Sequence, residues 1–335
     1  MNFSVKPMRF LADTLAQPNE TPAREQLLPD GTTLRLLDTG LLRVSPSQPG
    51  THRVLISCGI HGNETAPMEI VDAIVGDIVA GELTVNNELL IVIGNPPAAV
   101  AAERFIEENL NRLFSGKHQS SRSLESLRAA QIEQVTEAFF TAGDEPRLHY
   151  DLHTAIRGSQ IEKFAVYPYL HSRTWSAPQI GFLEQCGIEA VLFSKQPSGT
   201  YSYHTSHLHE ADSFTIELGK VRQFGDNDMT NFSAISAGLR RVIAGQELFK
   251  QTPKSIKLFA VVEEVIKRSE AFQLHIPAEA KNFTEYPKGS LLASDEGYEY
   301  RTQQDGERFV FPITNVPPGQ RAMLVVAPTE LDPID

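Results

Sequence analysis

The chain has 335 residues, of which 41% are hydrophobic, and a net charge of −12. That length can bury a full core, expected as one large domain plus a smaller one, and the acidity excludes a nucleic-acid binder, whose phosphate contacts need basic patches. Two cysteines, Cys58 and Cys186, make no disulfide framework, residues 1–20 carry no signal-peptide pattern, and no apolar run is long enough to span a bilayer, so a reduced, cytoplasmic protein is expected.

Residues 1–50 are mixed and turn-rich, with short strands expected at Thr32–Leu37 and Leu41–Val44 and a loop over Pro46–Gly50. Val54-Leu55-Ile56 reads as a buried strand, because β-branched and aliphatic runs fit a sheet covered on both faces. A turn carrying His61 and Glu64 follows. Ile70, Val71, Ile74, Val75, Ile78 and Val79 then repeat at the spacing of one buried helix face. Pro67 suits the first turn of that helix and Gly81 its end. Glu88–Gly94 is a second buried strand, stopped by Asn95-Pro96-Pro97. The polar stretch Ala98–Phe114 carries Arg104, Asn111 and Arg112, and an amphipathic helix is expected over Ser123–Ala142.

In Leu148–Thr154 the alternation of a strand puts His149, Asp151 and His153 on one face. Strands at Phe164–Tyr167 and Ala190–Phe193 flank a helix over Ala177–Cys186. Ser213–Leu218 is a further strand, and Met229–Phe249 a helix with Phe232, Ile235, Leu239 and Val242 inward. Strands alternating with helices from 53 to 249 indicate an α/β sheet with helices on both faces. Beyond Pro253 the pattern becomes strand-like, at Lys257–Ile266, Phe272–Ile276, Phe309–Ile313 and Met323–Ala327. A small β domain over about 254–335 is expected, with the chain's first strands packed nearby.

His61 and Glu64 stand where a strand gives way to a helix, the usual ligand position in open α/β sheets. One imidazole and one carboxylate there supply two of the three protein ligands of a catalytic zinc site. On its own the pair is a weak signal, and it fits a capping histidine and a Glu favoured by the helix dipole better than a metal site. His153, near the end of a central strand, is the best third ligand, and Asp151 could orient its imidazole from behind. Glu217 lies in an apolar strand, where an unpaired carboxylate is costly; beside a metal it would serve as general base and then acid, and otherwise it would sit in an ion pair. Arg104, Asn111 and Arg112 are anion candidates, since arginine grips carboxylates in a fork; Arg157 is a further one. The run His204, His207 and His209 is a rival metal cluster, but it lacks a strand–turn–helix scaffold and reads as a loop bordering the pocket. Cys58 reads as a small buried strand residue rather than a thiolate ligand.

Taken together, His61-Gly62-Asn63-Glu64, Asn111-Arg112, Asp151-Leu152-His153 and Thr215-Ile216-Glu217-Leu218-Gly219 resemble the succinylglutamate desuccinylase/aspartoacylase family, a branch of the zinc carboxypeptidase-like hydrolases. The run from Asp151 to Ser159 sides with the desuccinylase branch. The resemblance spans essentially the whole chain. It implies a carboxypeptidase-like mixed sheet in residues 1–253, a β-rich domain in 254–335, and one zinc ion per chain held by His61, Glu64 and His153. It also implies Glu217 as the catalytic glutamate, Asn111 and Arg112 as the grip on the amino-acid carboxylate, and Arg104 facing the scissile carbonyl. The implied reaction is hydrolysis of N2-succinylglutamate to succinate and glutamate, in the ammonia-producing route of arginine catabolism. The partner is then a small anionic N-acyl amino acid, with neither nucleic acid nor membrane involved, and the sequence allows a homo-oligomer. Competing readings are a deacylase of another N-acyl amino acid, a metallocarboxypeptidase, and a zinc-binding protein without turnover; the presence of Glu217 counts against the last.

Overall fold

All six residues of the strand Arg53–Cys58 are buried, as a run without alternation requires. The computed structural model describes residues 7–48, 50–246 and 252–330. In chain order the elements are α1 (Phe10–Ala16), β1 (Arg24–Leu27), β2 (Thr33–Asp38), β3 (Leu41–Ser45), β4 (Arg53–Cys58), α2 (Thr65–Ala80), β5 (Glu88–Ile93) and α3 (Pro96–Ala101). Then come α4 (Leu124–Phe140), β6 (Arg147–Ala155), β7 (Lys163–Tyr167), α5 (Ala177–Gln185), β8 (Ala190–Phe193), α6 (Tyr201–His209), β9 (Asp212–Lys220) and α7 (Ser233–Ile243). The β-rich remainder holds β10 (Lys257–Ile266), β11 (Gln273–Leu274), β12 (Glu285–Tyr286), β13 (Leu291–Asp295), β14 (Tyr298–Arg301), β15 (Glu307–Val310) and β16 (Arg321–Pro328).

Among the described residues, thirteen strands form one mixed sheet in the order β1-β2-β3-β5-β4-β6-β9-β7-β8-β10-β16-β15-β12. Its centre, β5-β4-β6-β9, is parallel. Apolar side chains cover both faces. On one, Ile70, Val71, Ile74, Val75 and Ile78 of α2 pack with α5 and α7; on the other, Ala129, Ile132, Phe139 and Phe140 of α4 pack with Tyr201 of α6. Burying each aliphatic side chain is worth roughly 1.5–3 kcal/mol, so the five from α2 dock it far more firmly than its propensity could. Gly81 closes α2 with φ 76°, a left-handed conformation that glycine adopts without strain. The small C-terminal β-rich domain has its own core around Val265, Leu292, Phe309 and Val325. Its ladder continues the main sheet, because β10 pairs with β8 on one side and β16 on the other.

Four expectations need correction. The N-terminal strands do not lie beside the C-terminal ones: β1–β3 extend the opposite edge, with β3 paired to β5. Residues 201–209 are a helix, α6, capped by Thr200 accepting from the Tyr203 N–H, rather than a loop. Asn95-Pro96-Pro97 does end β5, as expected, and at once starts α3, with Asn95 as cap and proline in the first turn. The stretch from Met229 opens as a 3₁₀ turn, and α7 proper runs from Ser233 to Ile243; positions 247–249 of the expected helix lie outside the described residues. Phe272–Ile276 contributes only the two-residue strand β11.

Candidate active site

Because β4, β6 and β9 run parallel, their carboxyl ends share one edge of the sheet. Ser57 is in register with Asp151, and His153 with Glu217. The chain leaving β4 turns through Gly59 to His61, where the Gly62 N–H donates to the Arg104 carbonyl at 3.1 Å. A Cβ on Gly62 would lie 2.2 Å from the Ala98 carbonyl carbon, so only glycine lets this turn approach α3. Glu64 occupies the cap position of α2 but makes no side-chain cap. Its carboxylate points instead at the histidines, against the simple capping reading.

Nδ1 of His61 lies 2.8 Å from Glu64 Oε1, and Nδ1 of His153 lies 2.9 Å from Oε2. Both Nε2 atoms have partners of their own: Asn109 Oδ1 at 3.1 Å for His61 and Asp151 Oδ2 at 3.0 Å for His153. With each Nε2–H donating outward, loss of the Nδ1 proton would leave a lone pair on each ring for a cation. All three residues are buried. Among the described residues they are the one set of three His, Cys, Asp or Glu side chains whose donor atoms all lie within 4.8 Å of one another. Two imidazoles and one carboxylate, converging and shielded, fit a catalytic zinc site.

The electrostatics follow from burial and neighbours. Burial pushes His61 down to about 4, overriding the pull of Glu64. Burial acts the same way on His153, but the Asp151 and Glu64 carboxylates outweigh it and hold that imidazole well above its ordinary range. Burial would raise Glu64, yet His61 and His153 keep it well below the usual carboxylate range. Asp151 is itself fixed by the Ser57 hydroxyl at 2.5 Å. Ser57 Oγ lies 2.8 Å from His149 Nε2, and His149 Nδ1 lies 2.7 Å from Thr205 Oγ1 on α6. The polar face of β6 is thus one connected network running from the cluster into the core.

A cavity of about 290 Å³ opens over the cluster. Glu217 borders it, with Oε2 buried and without a hydrogen-bond partner. Burial, helped by the nearby Glu64 charge, pushes its carboxyl up to about 7. The ion pair that would make Glu217 structural is absent among the described residues. Arg104 Nη1 donates to Glu64 Oε1 at 2.8 Å. Asn111 accepts from the Tyr201 N–H at 2.9 Å, which leaves its Nδ2 to donate to a ligand, and Arg112 donates to the Asn111 carbonyl at 2.8 Å. Arg157 borders the cavity, but its Nη1 donates to the carbonyls of Ala278 and Ala280 at 2.7 Å each. It ties the end of β6 to the C-terminal domain.

Residues the sequence did not single out also line the cavity, notably Asn109, Glu264, Gln320 and Arg321. Asn109 carried a readable signal, since Asn-Leu-Asn-Arg offers two amides two residues apart; its Oδ1 accepts from the Asn111 N–H at 3.0 Å as well as facing His61. Arg321 carried none. The histidines 204, 207 and 209 do not border the cavity, and Cys58 packs in the apolar core. No helix among the described residues is long and apolar enough to cross a membrane.

Comparison with known proteins gives the family and the fold. The profile of the succinylglutamate desuccinylase/aspartoacylase catalytic domain matches residues 50–243, and that of the AstE/AspA barrel-sandwich hybrid domain matches 254–329. A succinylglutamate desuccinylase of Pseudoalteromonas atlantica is 45% identical over 309 residues, covering 90% of this chain and 88% of the relative. The crystal structure of the succinylglutamate desuccinylase from Chromobacterium violaceum superposes with a TM-score of 0.87 at 41% identity, covering 98% of this chain and 99% of that one. That of the Vibrio parahaemolyticus protein gives 0.90 at 35%, covering 97% of each. The chain belongs to the succinylglutamate desuccinylase/aspartoacylase family.

Proposed function

We propose that this chain is a zinc-dependent amidohydrolase that cleaves N2-succinyl-L-glutamate to succinate and L-glutamate. The observation that carries the reading is a buried His–Glu–His cluster sharing one cavity with an unpartnered carboxylate, Glu217. His61, Glu64 and His153 would hold the metal. When bound, zinc supplies Lewis acidity to water and to the substrate carbonyl. Glu217 takes a proton from the attacking water and later returns it to the departing amine, a role suited to a carboxylate whose proton affinity is raised toward neutrality. Arg104 faces the amide oxygen, where negative charge grows as the tetrahedral state forms. Asn111 and Arg112 grip the α-carboxylate. Asp151 holds the His153 ring through Nε2.

In this reading residues 1–253 are the catalytic domain and 254–335 the β-rich domain, of which Phe311, Ile313, Val316 and Arg321 wall the cavity. A cavity of about 290 Å³ walled on that side favours a small N-acyl amino acid over a peptide. The names of the relatives specify the succinyl and glutamate halves, and the arginine route follows from that substrate alone. The test is to load the protein with zinc and assay N2-succinyl, N-acetyl and peptide substrates side by side. Preferred release of succinate from N2-succinylglutamate supports the reading. Preferential cleavage of a C-terminal residue from peptides would replace it with a carboxypeptidase.

A further inference from the structure

Besides Arg157, three guanidinium groups border the cavity that the metal cluster opens into: Arg104, Arg112 and Arg321. The first two donate to Glu64 and to the Asn111 carbonyl. Arg321, the first residue of β16, is half-buried, and its side chain has neither a hydrogen bond nor an ion pair among the described residues. Glu264 on β10 acts on Arg112 and Arg321 alike but pairs with neither. Arg112 is pushed down to about 9, by burial first and then by the like charge of Arg321, ahead of that of Arg104. Arg112 and Arg321 thus line one cavity within range of each other's charge, and Arg112 is the group proposed above to hold the amino-acid carboxylate.

Arg157 shows what a structural arginine looks like at this rim, with its guanidinium held by loop carbonyls. Arg321 is the opposite case. Two half-buried cations lining one cavity repel each other and lose hydration; Glu264 offsets part of this without pairing with either, and an anion bound in the cavity would offset the rest. A single carboxylate would satisfy Arg112 and leave Arg321 as found. A dicarboxylic amino acid supplies one anion to each.

We propose that Arg321 binds the side-chain carboxylate of the substrate's amino-acid half and so selects glutamate over neutral amino acids. This rests on the amidohydrolase reading above. It makes the C-terminal domain a direct contributor to specificity, through one fork-shaped contact that lysine would reproduce only in part.

The experiment compares wild type, Arg321→Ala and Arg321→Lys, all zinc-loaded, on N2-succinyl-L-glutamate, N2-succinyl-L-glutamine and N2-butyryl-L-glutamate. In Arg321→Ala, kcat/KM should fall on the order of 10²-fold on both glutamate substrates, mostly through KM. The glutamine substrate should change about threefold or less, since the partner of Arg321 is already gone. Arg321→Lys should recover part of the loss. An equal loss on all three substrates would mark a folding role and overturn the proposal. A loss that vanishes with the butyryl substrate would move Arg321 to the acyl end and overturn it too. If wild type cleaves none of the three, the amidohydrolase reading fails by itself. Calorimetric titration with free L-glutamate and L-glutamine still tests Arg321 in that case: wild type should prefer glutamate and Arg321→Ala should not, and no preference in wild type ends the proposal.

Discussion

Two groups of histidines around a glutamate lie in this chain, and they are built differently. In the first, His61 and His153 come from the carboxyl ends of parallel strands and meet on Glu64 at 2.8 and 2.9 Å, each with its far nitrogen hydrogen-bonded. In the second, His118 and His204 approach Glu133 at 3.6 and 3.5 Å, from a 3₁₀ turn and from α6. There, both nitrogens of His204, Nδ1 of His118 and Nε2 of His209 are buried without hydrogen-bond partners. The charge states diverge accordingly. Carboxylates on both sides raise His153 in spite of its burial, whereas burial and neighbouring histidines push His204 down to about 3. Tilted and edge-on ring contacts of His204 with Phe114, Tyr201 and His209 make it part of an aromatic cluster. The difference teaches that density of histidine in the sequence does not make a metal site. Convergence does, and here the parallel strand ends impose it.

The sharpest way to break this comparison is to remove a ligand from each group. His61→Ala should lose bound zinc and at least ~10⁴-fold in kcat/KM, because a two-ligand site neither holds the ion nor activates water. Metal analysis and steady-state kinetics read both losses. Next in size is Glu217→Gln, which keeps shape but cannot accept a proton. We expect kcat to fall by about 10²–10⁴-fold with zinc content unchanged; a near-normal kcat would make Glu217 a bystander.

The same residue gives a pH prediction. A base works only when deprotonated, so kcat/KM must decline as pH drops through the Glu217 pKa. Without metal, burial sets that value at about 7, and a dication nearby favours the carboxylate and lowers it. The acid limb of the zinc enzyme should therefore lie below about pH 7, and it should vanish from the residual activity of Glu217→Gln. A limb that persists in that variant belongs to another group.

Asp151→Asn comes third. It leaves every ligand in place but weakens the acceptor that orients His153, so zinc affinity should drop by about 10–100-fold, measured by competition with a chelator. The smallest effect is expected from the second histidine group. His204→Phe replaces a ring with two unpartnered nitrogens by an apolar ring in an aromatic setting, which should shift stability by about 1 kcal/mol or less and leave one zinc per chain. Loss of zinc in that variant would mean that the wrong group has been assigned.

The grouping of His61, Glu64, His153 and Glu217 was legible because each sits near the carboxyl end of a strand or in the turn just beyond it, and strands of continuous apolar residues signal a parallel sheet. Local pattern fixed position along the element, and parallelism brought the ends together. What the sequence hid were relations set by packing alone. The edge on which β1–β3 dock depends on the pairing of β3 with β5 some 45 residues later along the chain, and nothing inside those short strands encodes it. Residues 201–209 combine serine, threonine, tyrosine and histidine, all indifferent helix formers, so only the Thr200 cap hinted at α6. Arg321 lies in Pro-Pro-Gly-Gln-Arg, which reads as a solvated turn; its place on the cavity wall arises from the pairing of β16 with β10.

The central claim is best tested by soaking crystals of the protein with zinc and collecting anomalous diffraction at the zinc edge. The account predicts one strong peak per chain between Nδ1 of His61, the Glu64 carboxylate and Nδ1 of His153, with nothing at Glu133. A principal peak among His118, Glu133 and His204, or none at the first cluster under saturating zinc, would contradict it.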